Sequence, residues 1–306
     1  MPPRASKTKG RSAPQRNVHV ALAAQATLGE GALWDAANNR LLWVDILEKR
    51  VGLFDPEKSS SRILQLDSFV GTVVSSAKGD LMVAIREGFA RLDPSSGRIS
   101  GILSPEGHDP ATTRFNDGKC DPAGRFWAGT MSISESPGAG ALYCLDSGGK
   151  IRKCLENISI SNGIAWSPDG RHMYYIDTPT QVVAAFEYDP DTGSIRNRRV
   201  AVEVPKEMGY PDGMTVDAEG MLWVALWDGS AVGRWDPRSG RLLGKIAIPA
   251  SHATSCAFGG PRLETLYITS ARTGLSAAEI EREPLAGDIF AVQTDVGGMP
   301  AFVYGG

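Results

Sequence analysis

Six segments of one pattern recur along this chain, and few architectures accommodate such a repeat. Each begins at a turn of the type D-x-x-G, G-D or N-N-R. A short apolar and aromatic strand follows, then a second strand ending in an aspartate. The six are RLLWVDILEKRVGLFDP (40–56), GDLMVAIREGFARLDP (79–94), GRFWAGTM…GALYCLD (124–146), RHMYYIDTPTQVVAAFEYDP (171–190), GMLWVALWDGSAVGRWDP (220–237) and ETLYITSA…AGDIFAVQTD (264–295). Equivalent apolar anchors fall at Trp43, Met82, Trp127, Tyr174, Trp223 and Tyr267, separated by 39, 45, 47, 49 and 44 residues. A repeat of about 45 residues rich in β-branched and aromatic side chains marks a β-propeller, each blade a four-stranded sheet. A helical solenoid would need apolar residues at three, four and seven, whereas these segments alternate or run short and continuous. The turns DPAGR, SPDGR, DAEGM and DPRSGR carry the Asp/Gly chemistry of tight hairpins. The chain is therefore expected to fold as an all-β, six-bladed propeller with four-stranded antiparallel blades. Ring closure is expected to pair 17–26 with the last blade, with 301–304 lying there too, which removes open sheet edges. The WD dipeptides at Trp34-Asp35 and Trp235-Asp236 lack an upstream Gly-His and do not make a WD-repeat scaffold.

The first sixteen residues stand apart. They carry Arg4, Lys7, Lys9, Arg11 and Arg16 with no acid, so a net charge of −3 for the chain becomes −8 for the remainder. No apolar stretch follows these charges, which excludes a secretory signal. An acid-free, Arg- and Ser-containing start also suits an organelle transit peptide; we read it as a disordered tail, residues 1–16, before one propeller domain, 17–306. The acidic balance argues against nucleic acid as a partner, and no apolar run is long enough to span a bilayer. Cys120, Cys144, Cys154 and Cys256 have neither zinc-like spacing nor a CxxC pair. Cys144 and Cys154 flank the turn DSGGK and could face each other across a hairpin; we read them as reduced thiols in a cytoplasmic protein.

GxSxG, HExxH and GxxxxGK[ST] are all absent, so serine hydrolase, zincin and P-loop chemistry find no support. His19 is expected on the closing strand, His172 in a turn, and His108 and His252 in solvated loops. What remains is a set of polar groups just before blade strands: Glu30 in TLGEGALWD, Asn116 and Asp117 in TRFNDGKCD, Asn162 in ISNGIAWSPDG and Asp212 in YPDGMTVDAEG. Asn116, Asn162 and Asp212 each lie eight residues before a blade-turn glycine (Gly124, Gly170, Gly220). Taken singly, N-D-G, N-G and P-D-G are turn formers, and Glu30 is a surface charge. Equal phase in a repeat, however, means equal position in each blade, and all innermost strands face one axis. These oxygens should converge on the central channel. An all-oxygen set suits a hard cation, Ca²⁺ first and Mg²⁺ or Mn²⁺ next, with Zn²⁺ a weaker fit. Such an ion would polarise a carbonyl and stabilise an oxyanion, while Asp212 or a neighbouring carboxylate takes a proton from water. Arg114, two residues before Asn116, faces the same way and would bind substrate hydroxyls or an oxyanion, or else form a structural ion pair.

LGEGALWD, RFNDGKCDPAGRFWAGTM, ISNGIAWSPDG, YPDGMTVDAEGMLWVALW and CAFGG…LYITSAR…AGDIFAV together resemble the senescence marker protein/gluconolactonase/luciferin-regenerating family, collinearly from about Ala26 to Val292. The resemblance implies a six-bladed propeller that hydrolyses a sugar lactone with one divalent metal. It implies Glu30, Asn162 and Asp212 as metal ligands, Asp212 also as general base, and Arg114 and Asn116 as sugar contacts; Asp117 beside them completes the candidate substrate-binding set. One departure is Ser134, with Glu135 adjacent, where animal members carry an acidic substrate contact, so their sugar preference does not carry over. Trp227, in ALWDG, reads as an ordinary blade-core residue that also lies near the pocket. A gluconolactone-type aldonolactone or a pentonolactone is the expected substrate. A calcium-binding regulator and a related esterase or phosphotriesterase-type hydrolase are the alternatives.

Overall fold

The computed structural model describes residues 17–306; the basic start, 1–16, lies outside the described residues. Six four-stranded antiparallel sheets form a ring, a six-bladed β-propeller. Their innermost strands are Gly29–Asp35, Val70–Ser75, Thr113–Cys120, Ser161–Trp166, Tyr210–Val216 and Ala253–Gly259. Five blades take their strands in chain order from the axis outward. The sixth is completed by His19–Leu22, whose His19 and Val20 pair with Ala291 and Phe290, so the first and last strands of the described chain share one sheet. The closing strand is thus where the sequence placed it, His19 included.

Residues 301–304 are not in that blade. Ser76 bridges Tyr304 in parallel, Tyr304 N–H donates to Ser75 O at 2.8 Å, and Gly305 N–H to Gly124 O at 2.9 Å. Met299 N–H donates to Val216 O at 3.4 Å. The segment after the last strand therefore crosses one end of the channel and ties the second, third and fifth blades. Its side chains from Met299 to Phe302 line a small cavity of about 70 Å³ at that end, together with Lys119. The short strand AFVY reads as a blade strand by composition, but its backbone partners come from the mouths of other blades.

Inner strands are buried along almost their whole length, while outermost strands such as Ile99–Leu103 are largely exposed, which is the burial gradient of a radial sheet. The turn aspartates anchor this gradient. Asp121 Oδ2 accepts from Trp127 Nε1 at 2.9 Å and from Arg125 Nε at 2.7 Å; Asp217 Oδ2 accepts from Trp223 Nε1 at 2.9 Å and from Arg234 Nε at 2.8 Å. A buried indole N–H needs an acceptor, and an aspartate six residues upstream supplies it across the hairpin. His172 opens the strand His172–Asp177 rather than sitting in a turn.

Candidate active site in the channel

Every inner strand breaks register with its neighbour at the same place. The shifts fall between Glu30 and Leu33, Val70 and Thr72, Phe115 and Asp117, Ser161 and Ile164, Pro211 and Met214, and Ala253 and Ser255. A bulge re-aims the side chains it carries, and six in phase aim one set of residues at the axis. The Asn162-Gly163 and Asp212-Gly213 pairs lie inside strands, not in turns. A Cβ on Gly163 would stand 2.7 Å from Asp212 O, so the glycine there admits the neighbouring blade's backbone.

Glu30, Asn162 and Asp212 line one cavity of about 530 Å³ together with Arg114 and Asn116. All five are buried. Their amides are oriented by a hydrogen-bond chain. Arg114 Nη1 donates to Asn116 Oδ1 at 2.6 Å, and Asn116 Nδ2 donates to Ser161 O at 2.8 Å and to Asn162 Oδ1 at 3.3 Å. Asn162 Nδ2 donates to Thr178 Oγ1 at 2.8 Å, and Thr178 in turn donates to Pro211 O at 2.8 Å. Asn162 therefore commits its nitrogen to Thr178 and leaves its oxygen toward the cavity.

The acids are held in an unusual state. Glu30 Oε2 accepts from Gly31 N–H at 3.1 Å, yet burial, and then the charge of Asp117, push its carboxyl up to about 8. Burial and the neighbouring Glu30 and Asp117 charges also push Asp212 well above the usual carboxylate range. The two carboxyls act on each other across the cavity. Asp212 Oδ1 is buried with no hydrogen-bond partner among the described residues. Burial brings the Arg114 guanidinium down to about 10, still cationic at neutral pH. Two carboxyls side by side with an orphaned oxygen are what a cation would resolve. Among the described residues no three His, Cys, Asp or Glu side chains form a metal-binding group; the set reaches three only through the Asn162 amide, which hard cations accept. The residues present fit such an ion.

Asp117, grouped with Arg114 and Asn116 from the sequence, is not part of the cavity lining. The bulge at Asn116 sends the two neighbours to different levels of the channel. Asp117 Oδ1 accepts from Gly118 N–H at 2.7 Å, its Oδ2 is buried with no partner among the described residues, and the charge that acts on it is that of Lys119, whose ammonium donates to Met214 O. Glu135 does line the cavity, and its charge acts on Arg114. Trp227 lines the cavity, half-buried, and is not a blade-core residue. Behind it His252 is buried, not solvated, with its ring stacked on the indole at 3.9 Å and 9°. Thr178 and Tyr210 complete the polar rim. Tyr210 was legible, two residues before Asp212 on the same strand; Thr178 follows a strand and gives no such signal. His108 is tied to Arg86 O at 2.6 Å. The four cysteines are free thiols, with Cys144 and Cys154 in mutual contact within the third blade.

The fold is that of a closed six-bladed propeller whose axial cavity is lined by carboxyl, amide and guanidinium groups. Residues 28–272 match the SMP-30/gluconolactonase/LRE-like region, and the chain belongs to that family. It is 40% identical over 283 residues to a Bacillus subtilis (strain 168) protein provisionally named sugar lactone lactonase YvrE, covering 92% of this chain and 96% of that one. It is 38% identical over 284 residues to Homo sapiens regucalcin, covering 91% and 95%. Among solved structures, a calcium-binding protein, regucalcin, from Agrobacterium tumefaciens superposes with a TM-score of 0.89 at 30% identity, covering 95% and 97%. A luciferin-regenerating enzyme superposes with a TM-score of 0.86 at 34% identity, covering 95% and 99%. Among the described residues, no helix is long and apolar enough to cross a membrane.

Proposed function

We propose that this chain hydrolyses sugar lactones of the aldonolactone type, with one divalent cation, calcium in the first place, held by Glu30, Asn162 and Asp212. The carrying observation is the buried, unpartnered Asp212 Oδ1 beside Glu30, in a cavity that also holds the Arg114 cation. The family membership and the name of the Bacillus relative support the lactone. When bound, the ion would polarise the lactone carbonyl and offset the charge that develops on its oxygen.

This chain's own residues divide the remaining work. Arg114, held by Asn116 Oδ1 at 2.6 Å, presents its remaining N–H donors to ring hydroxyls, and Asn116 fixes the guanidinium in the cavity. Asp212, ionised once its oxygens face a cation, accepts a proton from water as the water oxygen adds to the carbonyl carbon. The endocyclic C–O bond then breaks, and the proton passes to the departing alkoxide. Lactone and water leave as one hydroxy acid, which loses a proton to solvent. Glu30 and Asn162 keep Asp212 in place and take no proton.

Lactone opening followed by proton release at constant pH, before and after metal removal, tests this reading. Activity should vanish with chelator and return with added calcium. Undiminished hydrolysis after complete metal removal would refute the cation's role. Failure to open any aldonolactone with calcium, magnesium, manganese or zinc would refute the activity.

A further inference from the structure

The cavity is larger and greasier than an aldonolactone requires. One part of its lining is polar, but Leu47, Phe69, Met131, Ile133 and Trp227 make the rest apolar. A ring that carries a hydroxyl on nearly every carbon leaves such walls unused, because each polar group placed against them loses water without a partner. At about 530 Å³ the cavity also lies within the range of drug-sized ligand sites, well above what a single six-membered ring fills.

One wall is built with more care than the rest. Trp227 ends the strand Leu222–Trp227 on the rim, and the His252 ring lies parallel to its indole at 3.9 Å and 9°. His252 is buried, absent from the cavity lining, and fixed by Nε2 to Asp228 Oδ1 at 2.9 Å. Asp228 follows Trp227 in the hairpin turn with φ +60, in the left-handed region that aspartate enters readily, and from there its carboxylate meets the histidine. Nδ1 of His252 is buried without a partner among the described residues. A histidine with one nitrogen tethered and the other orphaned is spent on holding its neighbour's ring. The indole is therefore a rigid platform, backed on one side and offered to the cavity on the other.

We infer that this site also opens δ-lactones bearing an alkyl or aryl substituent, with Trp227 as the wall that receives the substituent and His252 as the residue that positions Trp227. The inference rests on the lactonase reading and extends its substrate class. The chemistry is unchanged: water oxygen to the acyl carbon, ring C–O bond broken, proton to the alkoxide.

The test is a homologous series with one reacting ring, from δ-valerolactone to its C5-butyl derivative δ-nonalactone, run beside glucono-1,5-lactone on the calcium-loaded enzyme. Burial of each methylene raises kcat/KM by up to about fourfold, so the butyl compound should exceed the unsubstituted one by about tenfold or more. Trp227→Ala should flatten the series, and Trp227→Phe should retain part of it. His252→Ala should raise KM for δ-nonalactone severalfold while kcat changes less, and His252→Phe, which restores a flat ring behind the indole, should recover KM. A merely structural histidine would lower kcat and KM effects together for all substrates and would not be rescued by phenylalanine. A flat or falling series in an enzyme that opens glucono-1,5-lactone overturns the inference and leaves the lactonase reading intact. Hydrolysis of no lactone overturns both.

Discussion

Replacing Glu30 by glutamine should make the metal-free protein more stable while abolishing its response to calcium. In the folded state burial and Asp117 hold the Glu30 carboxyl near 8, against 4.5 for the free side chain. Folding at pH 7 therefore requires this carboxyl to take up a proton that the unfolded chain has released. Over the 2.5 units between 4.5 and 7, that costs about 3 kcal/mol at most, at 1.36 kcal/mol per unit. Glutamine keeps the shape and carries no titrating group. Part of the penalty lies in the Asp212 partner, so a gain on the order of 1–3 kcal/mol is expected, or roughly 2–6 °C in Tm for a chain of this length. The pH profile carries the sign. A carboxyl whose folded value is raised contributes stability that is complete below its unfolded value and is lost as pH rises toward the folded one. Chelator-treated wild type should thus weaken steadily from about pH 4.5 to about pH 8, and Glu30→Gln should show a shallower slope. Urea unfolding of both proteins at several pH values, with chelator and again with excess calcium, reads every arm. Wild type alone should be stabilised by calcium, by RT ln(1 + [L]/Kd). A Glu30→Gln protein that is less stable than wild type in chelator throughout this range would refute the reasoning.

Three further outcomes follow from the same geometry. Asp212→Asn should reduce kcat/KM for an aldonolactone by roughly 10²–10⁴ while the circular dichroism spectrum is retained; retained turnover would remove Asp212 as the base. Calcium binding at pH 6–7 should release protons from the raised Glu30 and Asp212 carboxyls and should weaken as pH falls, with the Glu30 share shrinking above about pH 8; calorimetry in buffers of different ionisation enthalpy counts them, and zero release would contradict the raised carboxyls. Gly163→Ala places a methyl 2.7 Å from Asp212 O, 2.8 Å from Met214 Cγ and 2.9 Å from Ile176 Cδ1. Overpacking of this kind should destabilise by about 1–3 kcal/mol in denaturant unfolding, and a neutral result would mean that the inner strands are free to separate.

Much of this arrangement was readable from the residues because it is periodic. The D-x-x-G turns recur with an aspartate six residues before an aromatic anchor, and Asp121–Trp127 and Asp217–Trp223 show why: the carboxylate caps the buried indole N–H. Phase brought Asn116, Asn162 and Asp212 into one cavity, and the in-phase bulge at Glu30 aims that carboxyl there as well. What was not readable is whatever the repeat does not repeat. The segment 299–305 has strand-like composition, but its partners are set by the channel mouth it crosses. Trp227 has the composition of a core residue, and only its place at a strand end on the rim turns it toward the cavity. His252 sits in a loop by pattern, and the indole and Asp228 that bury it come from the preceding blade.

Asn116 and Asp117 show how a single register shift organises the channel. In an unbroken strand they would point to opposite faces of the sheet, one of them into the next blade. The bulge between Phe115 and Asp117 instead leaves Asn116 unpaired in the cavity, bound to Arg114 and Asn162, and lowers Asp117 toward Lys119. Two layers of charge result. The lower one is a buried acid with its own ammonium, and its field is among the causes that raise both Glu30 and Asp212 above it. The upper acids can ionise together only when a positive charge stands between them. The same bulge that supplies Asn116 therefore also makes the pair of acids costly to ionise, and on the proposed reading that cost would be recovered as affinity for a cation.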